Sequence, residues 1–213
     1  ILRNHEGKFK DVTEEIAGKE FMRMGMVTSA LWTDFDNDRQ PDLIVAGEWM
    51  PVTFYRHDAG RLTNVTRSLG LQHHTGWWNS IVSGDFDNDG DSDYVLGNTG
   101  RNSPYKPTQD EPVTIYTKDF DQNGNLEAVL SYYIQDKQQT VHTRDELTGQ
   151  INFMRKRFPR YEHSANADFP EILTKVELEG AYILKSEMFE SIYLQNDGSG
   201  KFSSRPLPAE AQF

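Results

Sequence analysis

Between Asp85 and Asp93 the chain reads DFDNDGDSD, with carboxylates at loop positions 1, 3, 5, 7 and 9 (Asp85, Asp87, Asp89, Asp91 and Asp93) and Gly90 at position 6. That spacing lets several oxygens converge on one hard cation while the glycine takes the sharp turn. The cation suited to such a flexible all-oxygen loop is Ca²⁺. The pattern recurs in DFDNDRQPD, which carries Asp34, Asp36, Asp38 and Asp42, and in DFDQNGNLE, which carries Asp119, Asp121, Asn123 and Glu127. One acidic nonapeptide is commonly no more than a solvated turn. Three copies, each opening Asp-Phe-Asp and each followed by an apolar run, set that reading aside and imply up to three bound Ca²⁺ ions.

The elements that position these loops are strands. A helix–loop–helix calcium site needs a bidentate Glu at position 12, where this chain has Leu96, and helices on both flanks. Here the flanks are short β-branched or aromatic runs, Ile81-Val82 before the second loop and Tyr94-Val95-Leu96 after it, so each loop joins two strands. Internal similarity extends the argument. Leu2–Ile16 matches Tyr55–Leu69, Gly25–Asp38 matches Gly76–Asp89, and Tyr193–Pro208 repeats the first of these halves. A period of about 50 residues, rich in short strands, fits propeller blades. One complete unit reads as strands over 29–33, 43–47, 52–56 and 61–65, with a hairpin turn at His57–Gly60.

The expected fold is therefore mainly β: propeller blades forming an incomplete propeller or a fragment of a longer one. The end of a preceding unit covers residues 1–24, units follow at 25–75 and 76–133, and a further unit starts over 181–213. Residues 98–112 read as an irregular polar loop. Residues 143–180 read as a helical insertion. One helix starts at the Thr143/Glu146 capping box with Leu147, Ile151, Met154 and Phe158 at helical spacing, and Pro159 ends it. A second starts at Asp168/Glu171 with Ile172, Leu173 and Val176 inward. The chain opens at Ile1 without a leader pattern, which reads as a segment of something longer.

The net charge of −11 is local. Twelve of the 33 acidic residues lie in the three loops, leaving 21 against 22 basic ones. A pI near 5 argues against nucleic acid as a partner, which normally meets a basic face. No run of about 18 apolar residues is present to span a membrane. The chain has no cysteine, so disulfides and cysteine nucleophiles are excluded.

DFDNDRQPDLIVAG and DFDNDGDSDYVLGN resemble the FG-GAP/VCBS repeats of β-propellers such as those of integrin α-subunits. The N-x-x-G-x-F-x-D-V-T element and the closing G-K-F…LP…AQ are similar to bacterial VCBS-repeat proteins that often carry an ASPIC/UnbV module. The resemblance implies side-chain ligands from positions 1, 3, 5 and 9 and a backbone carbonyl from position 7. It thus implies Asp34, Asp36, Asp38, Gln40 (carbonyl) and Asp42 in the first loop. In the second it implies Asp85, Asp87, Asp89, Asp91 (carbonyl) and Asp93, and in the third Asp119, Asp121, Asn123, Asn125 (carbonyl) and Glu127. Two departures stand out. Arg39 replaces the turn glycine of the first loop, where a positive φ would strain it. The third loop has three carboxylates, one the longer Glu127. The expected order of affinity is the second loop, then the first, then the third.

The resemblance also implies a secreted, periplasmic or cell-surface (outer-membrane-associated) bacterial protein that binds a protein or glycan and is not an enzyme. A closed ring of seven or eight such blades needs about 350–400 residues. This chain alone leaves unpaired blade edges open to self-association. The rival expectation is a propeller-based polysaccharide lyase or hydrolase, with its cleft formed by residues 98–112 and the helical segment. A third, RNA binding, is disfavoured by the charge. Other chemistry-bearing groups have structural explanations that are at least as good: His73-His74 with Trp77-Trp78 as loop and inter-blade packing, and Arg155, Lys156, Arg157 and Arg160 as a solvated helix face.

Overall fold

A computed structural model describes residues 1–213. It is mainly β, built of several antiparallel sheets, and divides into two compact units: Ile1–Ser103 with Phe189–Phe213, and Pro104–Met188. No helix is long and apolar enough to cross a membrane.

In the first unit, β1 (Leu2–His5) and β2 (Lys8–Asp11) form a hairpin, followed by α1 (Thr13–Phe21), which Gly18 interrupts at φ +78°. Next come β3 (Met26–Thr33), β4 (Asp42–Pro51), β5 (Thr53–Asp58) and β6 (Arg61–Asn64), which pair in chain order as an antiparallel meander. β7 (Thr75–Trp77) adds to the far end of β4. β8 (Ser80–Gly84) and β9 (Asp93–Gly97) begin the next sheet.

The second unit contains β10 (Val113–Lys118), β11 (Glu127–Ile134) and β12 (Lys137–Thr140), then five short helices. These are α2 (Arg144–Gln150), α3 (Met154–Arg157), α4 (Tyr161–Ala165), α5 (Phe169–Ile172) and α6 (Lys175–Leu178); β13 (Tyr182–Ser186) then pairs with β10. Back in the first unit, β14 (Ile192–Asn196) and β15 (Phe202–Pro206) complete the sheet begun by β8 and β9, in the order β8-β9-β14-β15.

Local chemistry accounts for these elements. Directly after Asp42, β4 carries the apolar run Leu43–Ala46, buried throughout, because both neighbours in the sheet and the packing on both faces cover it. The hairpins turn at Glu6-Gly7, Ala59-Gly60 and Gln135-Asp136, whose consecutive positive φ values match the twist of the flanking strands. In the first unit α1 lays Ile16 and Phe21 against a core of Leu43, Val45, Met50, Tyr55 and Leu62. Phe35, Phe54, Tyr94 and Phe202 form an aromatic cluster with centroid separations of 5.0–6.4 Å. Trp78 is fully buried with its indole N–H donated to the His74 carbonyl, so this tryptophan is part of the packed core.

In the second unit Leu147, Ile151, Met154 and Phe158 are all buried, as their spacing requires, but one continuous helix does not carry them. The backbone turns extended at Ile151 (φ −120°, ψ 109°), so two short helices share the work. The chain breaks similarly at Leu173, and Val176 on α6 faces solvent at 73% exposure rather than inward. Capping boxes start α2 at Thr143/Glu146, α5 at Asp168/Glu171 and α6 at Thr174/Glu177.

Arg157 of the basic run is not a free solvated charge. Its guanidinium grips Glu177 through both oxygens (2.6 and 3.0 Å) and also donates to the Ile172 carbonyl. The Arg157 hydrogen bonds hold the Glu177 carboxyl down at about 2, against an ordinary value of 4.5. A depressed carboxylate stabilises the fold above its unfolded pKa and loses that contribution as pH falls through the folded one. Glu177→Gln is therefore expected to destabilise the protein by about 1–2 kcal/mol at pH 7, discounted for partial exposure. The gap from wild type should close between about pH 4.5 and pH 2. Denaturant midpoints of both proteins across that range check this; a gap that stays constant with pH contradicts it.

Candidate metal centres

Each acidic loop joins the first two strands, in chain order, of its sheet: the first joins β3 to β4, the second β8 to β9, and the third β10 to β11. All three close on the same hydrogen bonds. The position-1 carboxylate accepts from the backbone N–H groups of positions 5 and 6. Asp34 takes Asp38 and Arg39 (3.1 and 2.8 Å), Asp85 takes Asp89 and Gly90 (3.1 and 3.2 Å), and Asp119 takes Asn123 and Gly124 (3.0 and 2.9 Å). The position-5 side chain accepts from the N–H of position 7, in Asp38 from Gln40, Asp89 from Asp91 and Asn123 from Asn125. These bonds need left-handed backbone at positions 4 and 6. Asn37, Asn88 and Gln122 lie at φ +58 to +64°, and Arg39, Gly90 and Gly124 at +68, +97 and +90°. Arg39 holds the conformation that glycine would adopt without strain.

Position 9 is the first residue of the strand leaving the loop. Its carboxylate is buried in every copy, with Asp42 and Asp93 wholly inaccessible and Glu127 nearly so. It accepts the N–H of the loop phenylalanine: Phe35 to Asp42 (3.3 Å), Phe86 to Asp93 (3.2 Å) and Phe120 to Glu127 (2.8 Å). The longer Glu127 thus reaches the same donor as the two aspartates. The other oxygen of Asp42 takes the His57 N–H (2.7 Å), and that of Asp93 takes the Asn196 N–H (2.9 Å). Tyr193 adds its hydroxyl to Asp93 at 2.6 Å, and its own ionisation is pushed up to about 12 by burial and by that carboxylate.

The result is three carboxylate triads. Oxygens of Asp34, Asp36 and Asp42 lie within 4.8 Å of one another, as do those of Asp85, Asp87 and Asp93, and those of Asp119, Asp121 and Glu127. Asp38 and Asp89 at position 5 fall outside these groups, occupied with loop N–H groups. The side chain of Asp91 turns away to meet Asn37. Gln40 and Asn125 join the loops through their N–H groups on position 5, and the Gln40 amide also donates to Asp38.

Such crowding of acids without a counter-charge raises carboxyl pKa values. Burial, with Asp36 nearby, pushes Asp42 up to about 6, and burial together with Asp38 pushes Asp36 up. Asp36 Oδ1 and Asp121 Oδ1 are buried and accept no hydrogen bond. A buried carboxylate oxygen without a donor, beside two more carboxylates, fits a hard cation bound by oxygen and fits little else. Motif spacing does not single out the groups that hold position 9 from outside the loops, His57, Tyr193 and Asn196. The repeat of the Tyr55 half-unit at Tyr193 carried that signal.

Residues 34–96 match the family model of the FG-GAP-like repeat, from the first aspartate of the first loop to the strand leaving the second. No curated protein and no solved structure matches the chain.

Two substitutions at position 6 test this loop geometry. Arg39→Gly should stabilise the protein by about 1 kcal/mol through relief of the left-handed strain, and Gly90→Ala should cost a similar amount. Chemical-denaturation midpoints report both; an Arg39→Gly protein less stable than wild type would contradict the strained turn.

Proposed function

We propose that the chain is a calcium-braced segment of an FG-GAP/VCBS-type β-propeller, working outside the cell or on its surface as a binding module for a protein or glycan rather than as an enzyme. The observation that carries the calcium reading is the thrice-repeated triad with its buried, unpartnered oxygens on Asp36 and Asp121. The FG-GAP-like match over residues 34–96 supports the propeller and the extracellular setting, where such repeats typically work. Within this reading Asp34, Asp36 and Asp42, then Asp85, Asp87 and Asp93, then Asp119, Asp121 and Glu127 hold Ca²⁺. Asp38, Asp89 and Asn123 with the carbonyls of Gln40, Asp91 and Asn125 complete the shells as the ions draw the loops closed. The ion's task is structural: it neutralises clustered carboxylates and pins the turn between two strands. The resemblance to bacterial VCBS-repeat proteins extends the proposal to a larger assembly of the kind that carries an ASPIC/UnbV module.

Ca²⁺ that binds only the folded chain stabilises it by about 2.7 kcal/mol per site at a hundredfold excess over Kd. Melting in Ca²⁺ should therefore exceed melting in EGTA by at least about 5 °C. The pH dependence has a fixed sign. Asp42 is raised in the metal-free fold, so its stabilising proton is present at low pH and lost as pH rises through about 6. In EGTA this carboxyl thus lowers stability between about pH 4 and pH 7, and the Ca²⁺-induced gain should be larger at pH 7 than at pH 5. Equal melting with and without Ca²⁺ at pH 7 would overturn the proposal. Incubation with acidic and neutral glycans separates binding from catalysis: saturable binding without turnover is the expected result.

A further inference from the structure

The first two loops, 51 residues apart in sequence, are joined by side chains that bind no cation in the reading above. Asn37, at position 4 of the first loop, donates its amide N–H to Asp91 Oδ1 in the second loop at 2.5 Å. On its other side Asp91 is walled by the β14–β15 turn, where a Cβ on Gly198 would stand only 2.0 Å from Oδ2. The residue before that turn, Asn196, binds both loops at once. Its backbone N–H goes to Asp93 Oδ1 and its side-chain amide to the Phe35 carbonyl, both at 2.9 Å. Asp91 and Asn196 thus clamp the two loops to one another, and neither Asp91 nor Asn37 belongs to a carboxylate triad.

We infer that Asn37 and Asp91 couple the two sites, so that Ca²⁺ in the first loop strengthens binding of Ca²⁺ in the second. The inference rests on the calcium reading proposed above. Asn37 lies between Asp36 and Asp38, so a cation drawn into the first triad fixes the backbone carrying its amide. The amide then holds Asp91, whose own N–H braces Asp89, and the second loop meets its cation already closed. Such a device lowers the ordering cost of the second binding event and gives positive cooperativity. Ion–ion repulsion does not reverse the sign. The two loops hold nine carboxylates against Arg39 alone, so the pair stays anionic with two divalent ions bound.

Coupling is reciprocal and commonly amounts to factors of about five or more. The Gly90 amide, which is hydrogen-bonded to Asp85, reports on the second loop alone and can be followed by NMR of ¹⁵N-labelled full chain during Ca²⁺ titration. Silencing the first loop with Asp34→Asn and Asp36→Asn should weaken binding at the second about fivefold or more. In an Asn37→Gly background, which keeps the left-handed turn and the net charge, the same silencing should change nothing. Should the silenced chain fail to fold, Asn37→Gly alone decides, because it must weaken the second loop by a similar factor without touching that loop's ligands. Ca²⁺ binding at Gly90 that ignores both the silencing and Asn37→Gly overturns the coupling while sparing the calcium reading. A Gly90 resonance that never responds to Ca²⁺ overturns both.

Discussion

A buried carboxylate at the mouth of a strand is the constraint from which this chain is built. Asp42, Asp93 and Glu127 begin β4, β9 and β11 with their charged groups shut away from water. A charge in that position must be met by donors or by a counter-ion, since an unpaired buried charge costs several kcal/mol. The loop phenylalanine N–H supplies one donor in all three cases. The next strand supplies a second where it comes near enough, from His57 in one sheet and Asn196 in another. What remains is negative charge shared with positions 1 and 3. In the calcium reading proposed above, a hard cation cancels it.

This constraint ties the loop to the core. The Asp-Phe-Asp phenylalanine both donates its N–H and sinks its ring: Phe35 enters the cluster of Phe54, Tyr94 and Phe202, and Phe120 packs with Val129, Leu147 and Phe169. The phenylalanine of the second loop differs. Phe86 is half exposed, with Tyr193 6.0 Å away, and its site relies instead on the Tyr193 hydroxyl and Asn196. In the first and third loops, closure, strand register and burial of the aromatic ring are therefore one event, and shifting the register by one residue would expel both the ring and the carboxylate.

Much of this was legible locally. The strands around the first loop, the hairpin turn within His57–Gly60 and the acidic loop positions 1, 3, 5 and 9 all follow from residue spacing and turn chemistry over fewer than ten residues. Separating position 5 from positions 1, 3 and 9 was not possible from spacing, because all four carry oxygen; the hydrogen bond from position 7 makes the distinction. Periodicity located the buried Leu147, Ile151, Met154 and Phe158 but could not see the break at Ile151, since an extended residue between two short helices preserves the same inward face. Strand partnership over long range was the least legible. β14 lies beside β9 across about 100 residues, and no local pattern encodes that choice. The likeness of Tyr193–Pro208 to the half-unit at Tyr55 reads locally as the start of a further unit, and β14 and β15 pair into the sheet of β8 and β9.

Calcium in the three triads is the central claim. The direct measurement is the metal content of the purified chain after equilibrium dialysis against excess Ca²⁺, by elemental mass spectrometry, for wild type and for the Asp34→Ala, Asp85→Ala and Asp119→Ala variants. Three triads predict about three Ca²⁺ per wild-type chain, with each substitution removing at least one. A folded chain that retains less than one Ca²⁺, or whose content is untouched by all three substitutions, would contradict it.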